Sequence, residues 1–149
     1  MRAVIQRVNR AKVIINDTTF SQIGCGLVVF LGISTRDTRQ DLQWLAEKSV
    51  NLRIFNDDAG KMNRSLQDIK GEMLIISQFT LYGDCRKGRR PGFSEAAPPE
   101  LAKPLYDQFI DAVQRLQVPV ATGEFQTEMQ IELINDGPVT LLLDSEKKF

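Results

Sequence analysis

The segment SQFTL, Ser77 to Leu81, places hydroxyl and amide side chains at the end of an otherwise apolar run. Ser77, Gln78 and Thr80 are the polar members of this segment. Functional groups are often presented where a regular element gives way to a loop. The same side chains could instead satisfy local backbone groups at a strand end, and the segment alone does not separate these readings.

The sequence contains no histidine, which limits the chemistry that the chain can perform. This absence excludes Ser-His-Asp and Cys-His arrangements, His-ligated zinc and the side chain best suited to proton transfer near neutral pH. Thr80 therefore lacks an obvious base that would make it a nucleophile. The backbone N–H groups of Phe79 and Thr80 could instead form an oxyanion hole, a role that requires no titratable group.

A second segment, INDGPVT (Ile134 to Thr140), lies between the apolar alternating runs MQIEL and LLLD. Gly137-Pro138 is an ordinary turn signal, so the pattern predicts a hairpin between two strands. Proline also removes a backbone donor and allows a cis peptide bond, which about 5–6% of such bonds adopt in folded proteins. The segment thus raises the question of whether its backbone shape has a function.

Several elements must position these segments. Apolar alternation predicts a strand over Arg2–Ile15, and its change of phase predicts a bend or bulge. Asn16-Asp17 then favours a turn. The continuous apolar run Cys25–Ile33 is typical of a central strand buried on both faces. Further predicted strands are Leu52–Phe55, Glu72–Gly83, Glu124–Ile134 and Val139–Asp144, the last returning beside its predecessor.

Two helices are expected. Thr38 and Asp41 resemble a capping box at the start of the first helix, which continues through Leu42, Leu45 and Val50 at helical spacing. The second helix follows Pro98-Pro99, and an apolar stripe extends from Leu101 to Leu116 before Pro119. These elements indicate an α+β fold, with a strand-rich sheet or partly closed β-barrel and about two packed helices, in a single domain over residues 1–149.

Composition restricts the partners. Nineteen Lys and Arg residues balance nineteen Asp and Glu residues. We therefore do not expect an extended basic surface for nucleic acid, and any electrostatic binding must come from a local basic patch. The longest apolar run is too short for a membrane span. The two cysteines, Cys25 and Cys85, predict free thiols in a reducing cytoplasm, and no residue cluster indicates a metal or cofactor.

The two segments together carry a family resemblance. SQFTL and NDGPVT closely resemble the signature motifs of the D-aminoacyl-tRNA deacylase family, S-Q-x-T-L and N-x-G-P-x-T, in the same order. MRAVIQRV at the amino terminus and FNDDAGKMNRSL (Phe55 to Leu66) look like the same family. The resemblance therefore spans essentially the whole chain.

This resemblance implies a homodimer that binds the aminoacylated 3′ end of tRNA, with active sites at the subunit interface. It implies that Gly137-Pro138 is cis and enters the partner's active site, where two backbone carbonyls exclude an L side chain. Such a filter reads only the α-carbon, so various D-amino acids and glycine would pass. Arg7 is expected to support this loop, with Asn135 and Thr140 as the other polar members of its motif.

For the reaction, the resemblance implies that the 2′-hydroxyl of the terminal adenosine activates water. Phe79 and Thr80 would supply oxyanion donors, Gln78 would help to place the adenosine or the loop, and Ser77 belongs to the same motif. An alternative makes Thr80 the nucleophile of an acyl-enzyme. Nothing in the sequence supplies the base that this route needs.

The loop CRKGRRPGF (Cys85 to Phe93) concentrates the cations Arg86, Lys87, Arg89 and Arg90. It is either a solvated surface loop or a contact for phosphates of the tRNA acceptor arm. Two other functions stay open. One is a non-enzymatic RNA-associated module that uses this loop, and the other is a related deacylase with a trans Gly-Pro bond that acts on L-alanine mischarged to a tRNA.

Overall fold

A long bent strand, β1 (Arg2–Ile15), is the centre of the sheet in the computed structural model, which describes residues 1–148. Along one edge, the first half of β1 pairs antiparallel with β3 (Gly26–Gly32) and the second half pairs with β2 (Thr18–Ile23). Along the other edge, β8 (Gln130–Asp144) pairs antiparallel with β1. Register shifts occur on β1, as its change of hydrophobic phase predicts.

Two parallel strands extend the sheet beyond β3. β6 (Glu72–Ser77) pairs with β3, and β7 (Val120–Thr122) pairs with β6. Hydrogen-bonded neighbours in the sheet therefore follow the order β2-β1-β3-β6-β7. β8 pairs with β1 on the edge opposite to the one that β2 and β3 share. β4 (Phe55–Asn56) and β5 (Met62–Arg64) form a separate small hairpin. The predicted α+β class, a strand-rich and nearly closed sheet with two helices, is confirmed.

Both predicted helices are present. α1 (Arg39–Asn51) begins at Thr38 with the predicted capping box: the Asp41 N–H donates to Thr38 Oγ1 at 3.5 Å, and the Thr38 N–H and hydroxyl donate to Asp41 Oδ2 at 2.8 and 2.6 Å. Partial burial acts to raise the pKa of Asp41, but these hydrogen bonds outweigh it and hold that pKa below its ordinary value. α2 (Pro99–Arg115) has proline at its first position, where no backbone donor is needed.

None of the helices within residues 1–148 has the length and apolar character needed to cross a membrane.

The core lies on both faces of the sheet. The larger cluster packs the two helices against one face, with Leu45 and Phe109 among its fully buried members. A smaller cluster lies on the other face, where the sheet curls on itself, and includes Val13, Val28 and Leu74. β3 contributes to both clusters, since Val28 enters the smaller one and its neighbour Val29 the larger. The prediction that this strand is buried on both faces is confirmed.

The predicted strand Glu72–Gly83 is too long. β6 ends at Ser77, and residues Phe79–Tyr82 form a single turn of 3₁₀ helix. The Gln78 N–H makes the last bond across the sheet, to Leu31 O at 2.8 Å. A Cβ on Gly32 would lie 2.9 Å from Leu81 Cβ, so this glycine lets the turn pack against β3.

The carboxyl-terminal prediction of a hairpin is wrong. The two predicted strands belong to one strand, β8, and Val139–Asp144 continues in the same direction because both halves of β8 pair antiparallel with β1. The predicted Glu124–Ile134 strand begins only at Gln130, because residues 124–129 turn and Gln126 has a φ of 60°. Alternation alone cannot distinguish a strand that returns from one that is interrupted by a bulge.

Other strand boundaries also differ from the predictions. The Leu52–Phe55 prediction holds only at its end, where β4 comprises Phe55 and Asn56. The sequence pattern does not predict the strands β2, β5 and β7. β2 and β5 are largely exposed and show little apolar alternation, and β7 has only three residues. Their pairing comes from neighbouring strands rather than from their own pattern.

Replacing Thr38 by alanine tests the capping box. We expect Thr38→Ala to lower the free energy of unfolding by about 1 kcal/mol, because the first turn of α1 loses its side-chain cap. Urea unfolding followed by fluorescence of Trp44, the single tryptophan, measures the change. Thr35→Ala is the matched control, because the exposed Thr35 hydroxyl has no hydrogen-bond partner within residues 1–148. Equal stability of the two variants would contradict the prediction.

Candidate functional site

An open cleft of about 690 Å³ lies where β6 ends. Apolar side chains, among them Ile33, Ile76 and Met129, line much of it. One rim is formed by Ser77, Gln78 and Phe79, and residues 124–128 form the other. The cleft therefore combines an apolar floor with few polar groups, which is the usual character of a small-ligand site.

The 3₁₀ turn leaves two backbone donors free at the first rim. The N–H groups of Phe79 and Thr80 have no hydrogen-bond acceptor among residues 1–148, because the first amides of a helix have no intrahelical partner. Phe79 and Thr80 are both exposed. The two amides can therefore donate to an oxygen atom of a bound molecule.

Thr80 is not paired with a proton acceptor. Its Oγ1 accepts a short hydrogen bond from Gln78 Nε2, and an amide nitrogen does not take up a proton. Gln78 therefore fixes the Thr80 side chain without activating it. Ser77, at the last position of β6, is partly buried and pairs with Leu31.

A bulge in β8 carries the second motif. Asn135 and Thr140 are opposite Val8 and Gln6 of β1, so that four residues, 136 to 139, face Arg7 alone. The Gly137-Pro138 peptide bond is cis, as the resemblance implies, and both residues are exposed. Gly137 has a φ of 115°, a backbone angle that residues other than glycine rarely adopt.

Arg7 holds the bulge to the sheet. Its side chain is 8% exposed, and its Nε lies 2.9 Å from Asp136 Oδ2 and 3.3 Å from Asp136 O. Its Nη1 donates to Ile54 O at 2.5 Å. A Cβ on Gly137 would lie 2.8 Å from Arg7 Nη2. The guanidinium therefore connects the bulge with the chain beyond α1, and Gly137 provides the room for it.

Asn135 and Thr140 close the base of the bulge. With its nitrogen towards the main chain, the Asn135 amide donates to Arg7 O at 2.9 Å and to Val139 O at 3.1 Å. The Asn135 oxygen then accepts from Thr140 Oγ1 at 3.2 Å. This orientation satisfies all of these groups at once. The second motif is thus a locally self-bonded structure.

The chain brings the predicted residues together as two separate groups. Ser77, Gln78 and Phe79 line the cleft, with Thr80 beside them, whereas Gly137 and Pro138 are not among the cleft residues of the same chain. Sequence reasoning missed the rim formed by residues 124–128, because their alternating pattern predicts a strand. The positive φ of Gln126 has no sequence signal, since glycine is the usual residue there.

The basic loop is closed at its base by a β-bridge between Asp84 and Gly92, with N–O distances of 2.7 and 3.0 Å. Arg86 binds both carboxylate oxygens of Asp84, which lowers the pKa of Asp84. Lys87 and Arg89, like the adjacent Arg90, make no ion pair with residues 1–148. The predicted cations therefore divide into one that is internally paired and three that are available to a ligand.

The part of the chain that the structure describes has no cluster of potential metal-binding side chains. No group of three or more Cys, Asp or Glu side chains has the arrangement of a metal site. Cys25 and Cys85 are both free and exposed. The cleft must therefore be interpreted through its amide donors, its hydroxyl and amide side chains and the carboxylates of Glu124 and Glu128.

Comparison with known proteins adds independent evidence. The family model described as D-Tyr-tRNA(Tyr) deacylase matches residues 4–144. Proteins named D-aminoacyl-tRNA deacylase from Thermosipho africanus and Desulfotalea psychrophila are each 60% identical over 149 residues, covering 100% of both chains.

Solved structures agree with this comparison. One titled "c-Myc DNA Unwinding Element Binding Protein" is 40% identical, with a TM-score of 0.91 over 97% of this chain and 98% of its own. Another, titled as a probable eukaryotic D-amino acid tRNA deacylase, is 21% identical with a TM-score of 0.80 and coverage of 95% and 97%, which supports the fold. The sequence match over nearly the whole chain, together with this fold, shows that the chain belongs to the D-aminoacyl-tRNA deacylase family, a family of hydrolases.

Proposed function

We propose that this chain hydrolyses the ester bond of D-aminoacyl-tRNA, and of glycyl-tRNA, to release the free amino acid and tRNA. The observation that carries the proposal is the pair of unpaired N–H groups, from Phe79 and Thr80, at the rim of the cleft. Family membership supports the same substrate class. The reaction requires a nucleophilic water, stabilisation of an oxyanion and discrimination at the α-carbon.

The two amides suit the oxyanion. Attack of water on the ester carbonyl moves an electron pair onto the carbonyl oxygen, and two fixed N–H donors stabilise the resulting charge. Collapse of the tetrahedral intermediate breaks the bond between the carbonyl carbon and the ribose oxygen. The amides belong to a turn that is held on β3 through Gln78 and Gly32, so they are oriented before substrate binds.

Water activation is assigned to the substrate. The 2′-hydroxyl of the terminal adenosine lies next to the ester and can orient the attacking water. Gln78 Nε2 already donates to Thr80 Oγ1, and this contact offers no proton acceptor for a covalent route through Thr80. Gln78 instead maintains the turn that carries the amides, and Ser77 fixes the end of β6 below them.

Discrimination is assigned to the bulge. The carbonyls of Gly137 and Pro138 would face the α-carbon of the substrate and collide with an L side chain, whereas a D substrate presents hydrogen there. Enantiomers have the same hydrophobicity, so a rigid obstacle discriminates better than an attractive pocket. Arg7 supports this role, because its contact with Asp136 limits the movement of the bulge. Asn135 and Thr140 stabilise its base.

This arrangement requires a second copy of the chain. Gly137 and Pro138 are not cleft residues in their own chain, so the filter would enter the cleft of the other subunit of a homodimer. The β8 edge supports this assembly. Among the described strands, β8 pairs only with β1, and its Ile134 and Leu142 are 42% and 59% exposed. Burial of these apolar side chains would favour association.

The basic loop would contact the substrate from outside the cleft. Lys87, Arg89 and Arg90 are available to bind phosphates of the acceptor arm, whereas Arg86 is paired with Asp84. A local patch is needed because the chain has no net charge. The reaction would take place in the cytoplasm, where aminoacylated tRNA is used.

Hydrolysis of matched D-tyrosyl-tRNA and L-tyrosyl-tRNA tests the function directly. We expect the D ester to be hydrolysed roughly a hundredfold faster or more, because steric exclusion acts on only one enantiomer. The measurement uses catalytic amounts of protein and subtracts spontaneous hydrolysis. Hydrolysis of both esters would contradict the filter. Hydrolysis of neither would favour the non-enzymatic RNA-binding function.

The role of Thr80 is tested by replacing its side chain. We expect Thr80→Ala to keep kcat within roughly tenfold of the parent value, because the amide rather than the hydroxyl acts, whereas loss of a nucleophile costs several orders of magnitude. Single-turnover hydrolysis of D-tyrosyl-tRNA measures the change. Complete inactivity of a folded Thr80→Ala protein would restore the covalent route.

The oxyanion role of the Phe79 amide is tested by comparing two variants, one of which lacks the amide hydrogen. Phe79→Pro eliminates one N–H donor at the first position of a helical turn, where proline is tolerated, and Phe79→Ala removes only the side chain. Loss of an oxyanion donor lowers kcat by about 10²–10³, so Phe79→Pro should be much slower than Phe79→Ala. Similar rates for the two variants would contradict the oxyanion assignment, provided that their circular dichroism spectra match.

The support given by Arg7 has its own test. We expect Arg7→Lys to reduce the D/L ratio of kcat/KM by roughly tenfold or more, because displacement of a positioning group by about 1 Å can cost two orders of magnitude. Lys12→Ala is the control, since Lys12 forms an exposed ion pair between β1 and β8, with Glu132, at 2.9 Å. An unchanged D/L ratio in folded Arg7→Lys would remove this role from Arg7.

A further inference from the structure

Two exposed aromatic rings connect the turn that carries the free amides with the basic loop. Phe79, the first residue of the 3₁₀ turn, is 55% exposed, and Phe93, just after the β-bridge of the loop, is 38% exposed. Their centroids are 5.0 Å apart, at an interplanar angle of 67°. Large apolar side chains that stay exposed together commonly mark an interaction site. The function described so far uses only the backbone of Phe79.

Phe93 is held in place by its surroundings. A Cβ on Gly83 would lie 3.2 Å from Phe93 Cε1, so the ring packs directly against the backbone of this glycine. The Phe93 O accepts from Ala96 N–H at 3.1 Å, and the preceding Gly92 is bonded in both directions to Asp84. The ring thus has a fixed inner side and an exposed outer side. An aromatic surface that is ordered before binding loses little entropy when a planar group stacks on it.

The charges next to this pair identify the class of ligand. Lys87, Arg89 and Arg90 project from the loop that ends at Phe93, without an ion pair in residues 1–148. Gly88, at the tip, has no atom within 4 Å of the position of a Cβ, so the loop extends into solvent. Cations that can follow a phosphodiester backbone, beside aromatic rings that accept bases, are the two features of single-strand recognition.

We propose that the Phe79–Phe93 pair is a stacking platform for an unpaired nucleobase of the tRNA 3′ end. This base belongs to a nucleotide that precedes the esterified adenosine, and Lys87, Arg89 and Arg90 contact the adjoining phosphates. The inference rests on the proposed function in taking an aminoacylated tRNA as the ligand. It adds a contact that is independent of the identity of the base, because every base has a π-face.

The platform explains how a neutral chain can accept different tRNAs. Stacking and phosphate contacts carry little sequence information, whereas hydrogen bonds to base edges would restrict the substrate. Because Phe79 belongs both to the platform and to the oxyanion turn, a stacked base would also place the following adenosine near the amides. The Phe93 ring would act in binding, and the Phe79 amide in the reaction.

The direct test is binding of uncharged tRNA, which does not depend on hydrolysis. Phe93→Leu keeps an apolar side chain against Gly83 and removes the π-face. We expect it to weaken binding of intact tRNA about tenfold, within the range for the loss of one stacked base, and to leave unchanged the binding of tRNA trimmed of its unpaired 3′ nucleotides. Phe93→Trp should bind intact tRNA at least as tightly as the parent. Phe20→Leu, a change at another half-exposed phenylalanine, on β2, is the control.

The phosphate contacts are tested by salt dependence. Replacing Arg89 and Arg90 by alanine should reduce the slope of log Kd against log salt concentration by about 1.4, since each single-strand phosphate contributes about 0.7. Equal effects of Phe93→Leu on intact and trimmed tRNA, or no effect on either, would overturn the platform. So would an unchanged salt slope for the double variant.

Hydrolysis separates this inference from the proposed function. We expect Phe93→Leu to raise KM about tenfold more for D-tyrosyl-tRNA than for D-tyrosyl-adenosine, which has no preceding nucleotide. A parent protein that hydrolyses neither ester, yet binds intact tRNA through Phe93, would refute the deacylase proposal and keep the platform. Rapid hydrolysis of the D esters without any effect of Phe93→Leu would support the deacylase proposal and refute the platform.

Discussion

The pairing of β1 with β8 is the constraint on which the other features depend. Among the described strands, β8 pairs with β1 alone, so the ladder from Arg2 to Ile14 determines where every residue of β8 lies. The bulge opposite Arg7 interrupts this ladder without reversing the strand. Because both sides of the bulge are held in register, Gly137 and Pro138 have a defined position opposite Arg7. A flexible hairpin could not present them in this way.

The proposed site, which combines the cleft of one chain with the bulge of a second copy, would be built largely from main chain. Its free donors are the Phe79 and Thr80 amides, its hydroxyl is bound by an amide side chain, and its second motif presents a glycine and a proline. Backbone dipoles stabilise developing charge without changing protonation state, which agrees with a sequence that has no histidine. The supporting side chains, chiefly Arg7 and Asn135, act by holding backbone in position.

The positive charges of the basic loop that make no ion pair with residues 1–148 form a local patch on a chain that has no net charge. The acidic and basic residues cancel over the whole chain, and Asp84 binds the first cation of the loop. Lys87, Arg89 and Arg90 belong to the loop that ends at Phe93, whose ring contacts Phe79. A local patch of this kind would attract a phosphodiester chain to one place, whereas a uniformly basic surface would bind nucleic acid at many places.

The sequence by itself determined the class of fold, the capping box of α1, the buried β3 and the residue types of both motifs. Each of these depends on local periodicity or on neighbours a few residues apart. Only the tertiary structure decided that β6 stops at Ser77, that β8 continues through the bulge, and that residues 124–129 turn to form a cleft rim. These features depend on contacts between distant segments, such as Gly32 with Leu81 and Arg7 with Asp136. An alternating pattern contains no information about such contacts, because it is the same in a returning strand and in a bulged one.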